Sequence, residues 1–134
     1  MIDVEGVIFT NIATKLREKY GAEFTVYGET VLAPSRFPCA CIEESDNYPH
    51  IRSQDSSGIE NHAQIVYEVN VFSNRRNGKK AECKDILATI DEYFASIGFT
   101  RNTKKPISLD DATKYRLFAR YSAVASKNGI IYRR

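Results

Sequence analysis

Five side chains in this 134-residue chain are of the types that attack, ligate or relay protons near neutral pH: Cys39, Cys41, Cys83, His50 and His62. A catalytic thiolate needs a base beside it and a further group to orient that base. No residue pattern ties either histidine to a cysteine, and His50 falls in a polar stretch, so no catalytic residue is expected. The same five side chains make a poor zinc set. Cys39-Ala40-Cys41 has one intervening residue rather than two, and the histidines are isolated. No metal site and no cofactor is therefore expected. Cys39 and Cys41 share one strand face, where i and i+2 neighbours are badly placed for a mutual disulfide. Three reduced, buried thiols acting as small apolar side chains are the expectation.

Other motifs are equally sparse. The seven glycines are scattered, and Asn77-Gly78-Lys79-Lys80 lacks the longer pattern of a phosphate-binding loop. Glu43-Glu44 and Asp110-Asp111 are adjacent pairs. In an extended chain such neighbours point to opposite faces, so neither pair makes an acid–base couple, and both read as solvated strand ends. What remains is a set of cations: Arg75, Arg76, Lys79 and Lys80 in one turn, with Arg116 and Arg120 on a later strand. These six are the candidate assembly or lumen contacts. They could meet a phosphate backbone by charge alone. The nearby aromatics Tyr67, Tyr93 and Phe94 fit core positions, so base reading is not supported.

The elements that must position these residues follow from periodicity. Val4, Val7, Ile8, Ile12 and Leu16 recur at helical spacing and predict a helix over about 3–20, stopped by Gly21. Phe24 to Tyr27 reads as a short strand, Thr30 to Ala33 as a further short strand, and Cys39 to Glu44 as a clear one after the breaks at Pro34 and Pro38. The polar stretch 45–61 has no periodicity and is expected to be a long loop or arm. Ala63, Ile65, Tyr67, Val69 and Val71 alternate with polar residues, a half-buried strand. A helix over about 78–97 carries Cys83, Ile86, Leu87, Ile90, Phe94 and Ile97 on one stripe and ends at Gly98. Strands are expected at Phe99 to Lys104 and Tyr115 to Ser126. Between them, Pro106 to Thr113 reads as a polar connection. Asn128-Gly129 signals a hairpin turn into Ile130 to Tyr132. The order α-β-β-β-α-β-β predicts one α+β domain: an antiparallel or mixed sheet with two helices on one face.

Net charge is only +2, but it is divided. Residues 1–62 hold five basic and ten acidic residues, a net of −5, whereas residues 63–134 hold fourteen basic and seven acidic, a net of +7. If these halves are also spatial halves, copies attract one another head to tail, the geometry that closes rings. If the halves interleave in the fold, the asymmetry vanishes. The longest apolar runs are a few residues, too short to span a bilayer. The acidic start, Met1 to Glu5, is unlike a signal peptide, which leads to the expectation of a cytoplasmic protein.

From Val66 to Ala125 the chain resembles a known family. Val66-Tyr67-Glu68-Val69-Asn70-Val71-Phe72-Ser73-Asn74, a Gly-Lys turn, a helix through Ile86, Ile90 and Tyr93, Gly98-Phe99-Thr100-Arg101 and Tyr115-Arg116-Leu117-Phe118-Ala119-Arg120-Tyr121 together look like tail terminator and tail completion proteins of long-tailed bacteriophages. These are small α+β proteins similar in fold to the tail terminator of phage lambda. The resemblance implies a structural protein of a phage or prophage rather than an enzyme. It implies a homo-oligomeric ring, a hexamer on assembly, that caps the tail tube and offers a surface to the head–tail connector. The implied partners are other copies of the chain, the tail tube protein, the connector and DNA, which passes through the ring without sequence-specific binding. No membrane is involved. The implied location is the host cytoplasm during assembly and then the virion tail. Another head–tail joining or minor virion protein, or a small basic nucleic-acid-binding module, are the alternatives.

Overall fold

The computed structural model describes residues 3–49, 62–126 and 131–132. In chain order the elements are α1 (Glu5–Tyr20), β1 (Thr25–Tyr27), β2 (Cys39–Pro49), β3 (His62–Ser73), α2 (Lys79–Ser96), β4 (Thr100–Ile107), β5 (Tyr115–Ser126) and β6 (Ile131–Tyr132). The class is α+β, with two helices on one face of a mixed sheet. The strands lie side by side as β1-β2-β3-β5-β4, and β6 pairs with the end of β5. All pairings are antiparallel except β1 with β2.

The alternating residues of β3 and β5 build the helix-side face. Ile65, Tyr67, Val69 and Val71 sit beside Ala123, Tyr121, Ala119 and Leu117, and all are buried. Onto them α2 lays Cys83, Ile86, Leu87, Ile90 and Phe94, while α1 lays Ile8, Ile12 and Leu16 over Ala40 and Ile42 of β2. Phe94 is the keystone of this layer. Its ring stacks on Tyr121 at 4.4 Å between centroids and meets Phe99 at 5.0 Å and Tyr67 at 5.4 Å. The tail of α2 turns on Gly98, whose φ of 97° lies in the left-handed region open to glycine. The Phe99 amide then donates back to the Phe94 carbonyl at 2.9 Å, which drives the Phe99 ring into the core.

The parallel β1–β2 pair forces residues 28–38 to return across the sheet before β2 can start. That return packs Val31 and Phe37, with Tyr27 and Leu109, over Cys39, Cys41 and Phe72 on the face away from the helices. Here the structure corrects one expectation: Thr30 to Ala33 is loop, not strand. Val31 caps a small second core instead of pairing, while Leu32 is exposed.

Three further differences concern where elements end and which side chains they bury. β2 does not stop at Glu44 but runs on to Pro49 past a bulge between Glu44 and Asp46, pairing Asp46 with Val66 and Tyr48 with Gln64. The first part of the expected 45–61 arm is therefore sheet, and residues 50–61 lie outside the described residues, as does the Asn128-Gly129 turn. β4 continues through Pro106 to Ile107, which an edge strand tolerates because its outer N–H groups need no partner. Val7, expected on the buried stripe of α1, is 66% exposed. It lies one residue before Ile8, on the shoulder of a stripe that α1 narrows to Val4, Ile8, Ile12 and Leu16.

Candidate functional site

The six candidate cations do not form one cluster. Arg75, Arg76, Lys79 and Lys80 occupy the turn after Ser73 and the first turn of α2. Arg116 pairs with Phe72 across the β3–β5 ladder, so it lies at the same end of the sheet as that turn. Arg120 is opposite Glu68, farther along the strand.

Half of the six are engaged within the fold. The Arg116 Nε donates to Asn70 Oδ1 at 2.8 Å, and its guanidinium lies 5.5 Å from the centre of the Phe72 ring. Arg120 donates through Nε and Nη2 to Glu68 Oε2, at 3.2 and 2.6 Å. Arg75 reaches Glu82 at 3.9 Å. Glu82 also accepts from the Ser73 hydroxyl at 2.6 Å, which ties the basic turn to the start of α2. Arg76, Lys79 and Lys80 make no ion pair among the described residues, and Arg76 and Lys80 are exposed.

The paired acids separate as their adjacency predicts. Glu43 faces away from the helices and accepts from the Thr30 amide and hydroxyl at 3.3 and 3.4 Å. Glu44 faces the helix side, beside the Tyr67 hydroxyl and within the field of Asp3 and Glu5. Burial raises its pKa first, and those two carboxylates add to the rise. Asp111 instead accepts from the Thr113 amide and hydroxyl, which holds its pKa below the usual carboxylate value.

The thiols are the reverse of activated. Burial pushes Cys39 and Cys83 up to about 12, and the Cys83 thiol donates weakly to the Val71 carbonyl at 3.5 Å. Cys41 is also raised by burial. All three are free and buried, as expected for apolar fillers.

A broader feature connects these residues. Among the described residues, the acidic and basic parts of the sequence are also separated in space: α1, β1 and β2 lie on one side of the β2–β3 seam, and β3, β5, β4 and α2 on the other. The charge changes sign across the strands. Glu43, Glu44 and Asp46 line β2, while Lys104 and Lys105 are exposed on the opposite edge strand β4 and make no ion pair among the described residues. These edge residues were hidden in sequence, although Lys104-Lys105-Pro106 carries the mark of an edge strand: lysines, and a proline that cannot continue a ladder. The pairings also bound the two outer strands. β1 covers only Cys39 to Cys41 of β2, and β5 is the only neighbour of β4 among the described residues.

A groove of about 490 Å³ between α1 and α2 is lined by Lys15, Glu18, Lys19, Thr89, Glu92 and Tyr93. Its lining mixes Lys15 and Lys19 with Glu18 and Glu92.

No family model and no curated protein matches the chain.

Proposed function

We propose that this protein is a structural assembly protein, acting by stoichiometric self-association into a ring of the tail-terminator or tail-completion type found in long-tailed phages. The observation that carries the reading is the division of charge across the sheet, acidic on the β2 side and basic on the β4 side. Identical molecules polarised in this way attract each other head to tail, and a heterologous contact that repeats by rotation closes into a ring. The resemblance of Val66 to Ala125 adds the context. That segment supplies β3, α2, β4 and β5, the part of the fold on the basic side. A ring of this kind stops a growing tail tube by occupying its end, so the protein needs complementary surfaces rather than reactive groups. Buried, deactivated thiols suit that role.

The alternative of a small nucleic-acid-binding module draws on the same cations. It is weakened by the internal use of Arg75, Arg116 and Arg120, which leaves Arg76, Lys79 and Lys80 to meet a phosphate backbone.

Light scattering and negative-stain microscopy of the purified protein, alone and with phage tail tubes, test the proposal. A closed oligomer in either condition supports it. A monomer in both refutes it. DNA affinity of the monomer that survives physiological salt would favour the binding module instead.

A further inference from the structure

β4 closes one side of the sheet. Its residues, Thr100 to Ile107, pair with β5 on one side and with no described strand on the other. Backbone groups left unpaired along such an edge are a template for another strand. The first part of the edge has other tasks. The Arg101 guanidinium reaches Asp91 at 3.1 Å, and a bulge interrupts the ladder at Asn102, whose side chain accepts from the Ser122 hydroxyl at 3.2 Å. From Thr103 to Ile107 the pairing with β5 is regular.

Pro106 fixes which backbone groups point outward along that stretch. In an antiparallel ladder successive residues turn their N–H and C=O alternately toward and away from the paired strand. Pro106 has no N–H to give to β5, so it belongs to the set turned away. Lys104, two residues earlier, belongs to the same set. Its N–H and C=O both face outward, and the Pro106 carbonyl follows. A further strand therefore finds one donor and two acceptors in strand geometry.

The side chains decide what kind of strand fits. Lys104 pairs with Ala119 and lies on the helix-side face, whereas Lys105 pairs with Phe118 and lies on the other face. Both lysines are exposed and make no ion pair among the described residues. Across a ladder like charges repel and opposite charges attract. A second β4 edge is therefore turned away, and a strand with two consecutive acids meets a lysine on each face. A phosphate backbone would answer the charge, but it has no donor for the outward carbonyls of Lys104 and Pro106.

We propose that the edge of β4 from Thr103 to Ile107 is a docking site for an extended acidic segment of a partner protein. The segment adds to the sheet as a further strand, with consecutive carboxylates opposite Lys104 and Lys105. This contact does not depend on the ring reading and stands or falls separately from it.

Two octapeptides test it on the full-length, nitrogen-15-labelled protein: Thr-Val-Thr-Glu-Glu-Thr-Val-Thr, and the same peptide with Lys-Lys at its centre. In amide spectra the acidic peptide is expected to shift the signals of Thr103, Lys104, Lys105 and Ile107 and to slow hydrogen exchange at the Lys104 amide. It should bind at least tenfold more tightly than the basic peptide, and more weakly as salt rises from about 0.1 to about 0.5 M. Lys104→Glu with Lys105→Glu should reverse the preference; both side chains are exposed, and the comparison of the two peptides on wild type needs no variant. Equal affinity for the two peptides, binding of neither, or shifts confined to residues outside β4 would overturn the proposal. So would a DNA duplex that shifts these amides where the acidic peptide does not, which would make the lysines a phosphate contact.

Discussion

Arg116 and Arg120 look interchangeable in sequence, two arginines on one strand face, yet the structure gives them unequal tasks. Replacing Arg116 by alanine removes the donor to Asn70 Oδ1 and uncovers the Phe72 ring. Asn70 is 2% exposed, so water cannot readily take over. Depriving a buried acceptor of a charged donor costs about 1–3 kcal/mol, and the lost cation–π contact adds about 0.5 kcal/mol. The expected loss is about 2 kcal/mol. At about 2.1 cal/mol/K of unfolding entropy per residue, a chain of this size has a slope near 0.28 kcal/mol/K, so Tm should fall by about 7 °C. Arg120→Ala breaks a bridge whose partners are 47% and 25% exposed. It should cost about 0.5–1 kcal/mol, or roughly 2–4 °C by the same slope. Part of that cost comes from leaving Glu68 directly across from Glu43. Thermal melts at a concentration where the protein is monomeric, in 0.1 and 0.5 M salt, separate the two. The Arg120 deficit should shrink in salt while the Arg116 deficit persists. If Arg120→Ala proves as costly as Arg116→Ala, or if both melt like wild type while association is lost, these arginines are contact residues and the internal assignment is wrong.

Two further outcomes follow from the titratable groups. Burial and the neighbouring Asp3 and Glu5 raise the folded-state pKa of Glu44 above its unfolded value. Its contribution to stability is therefore fully present below the unfolded carboxylate pKa and lost as pH rises through the folded pKa. Glu44→Gln should be more stable than wild type at pH 7 and indistinguishable near pH 4, by thermal melts across that range; a destabilised variant at pH 7 would show that the charge is welcome there. Because burial holds Cys39 and Cys83 at about 12 and raises Cys41, a thiol reagent at pH 8 should label all three only at the rate of unfolding. Fast labelling of any one in the native protein would contradict the packing described.

Much of the scaffold was readable because its periodicities are strong. The alternation in Tyr115 to Ser126 and in Ala63 to Phe72 specifies two central strands buried on one face, and those strands pair residue for residue across the middle of the sheet. The stripe from Cys83 to Phe94 specifies α2 in the same way. Illegible parts had other causes. Asp46 to Tyr48 is polar on both faces, beyond the three residues of β2 that β1 covers, and polarity of that kind reads as loop. Thr30 to Ala33 has strand-like residues, but its one packed apolar side chain, Val31, is drawn onto Cys39 and Cys41 on the face away from the helices, and that packing overrides propensity. The six cations were visible as residue types, but their partners were not. Glu68 and Asn70 lie about fifty positions away from Arg120 and Arg116, and only the β3–β5 register brings them together.

Among the described residues, the division of charge across the seam between β2 and β3 would make each molecule an electric dipole in the plane of the sheet, across the strands. An open arc of such molecules would add its dipoles end to end, and its two tips would draw in further subunits more strongly as the arc grew. Closure bends the same dipoles around a circle, where they sum to zero. The long-range pull on additional copies then disappears at the moment the last gap is filled, which would let a ring of identical subunits set its own limit.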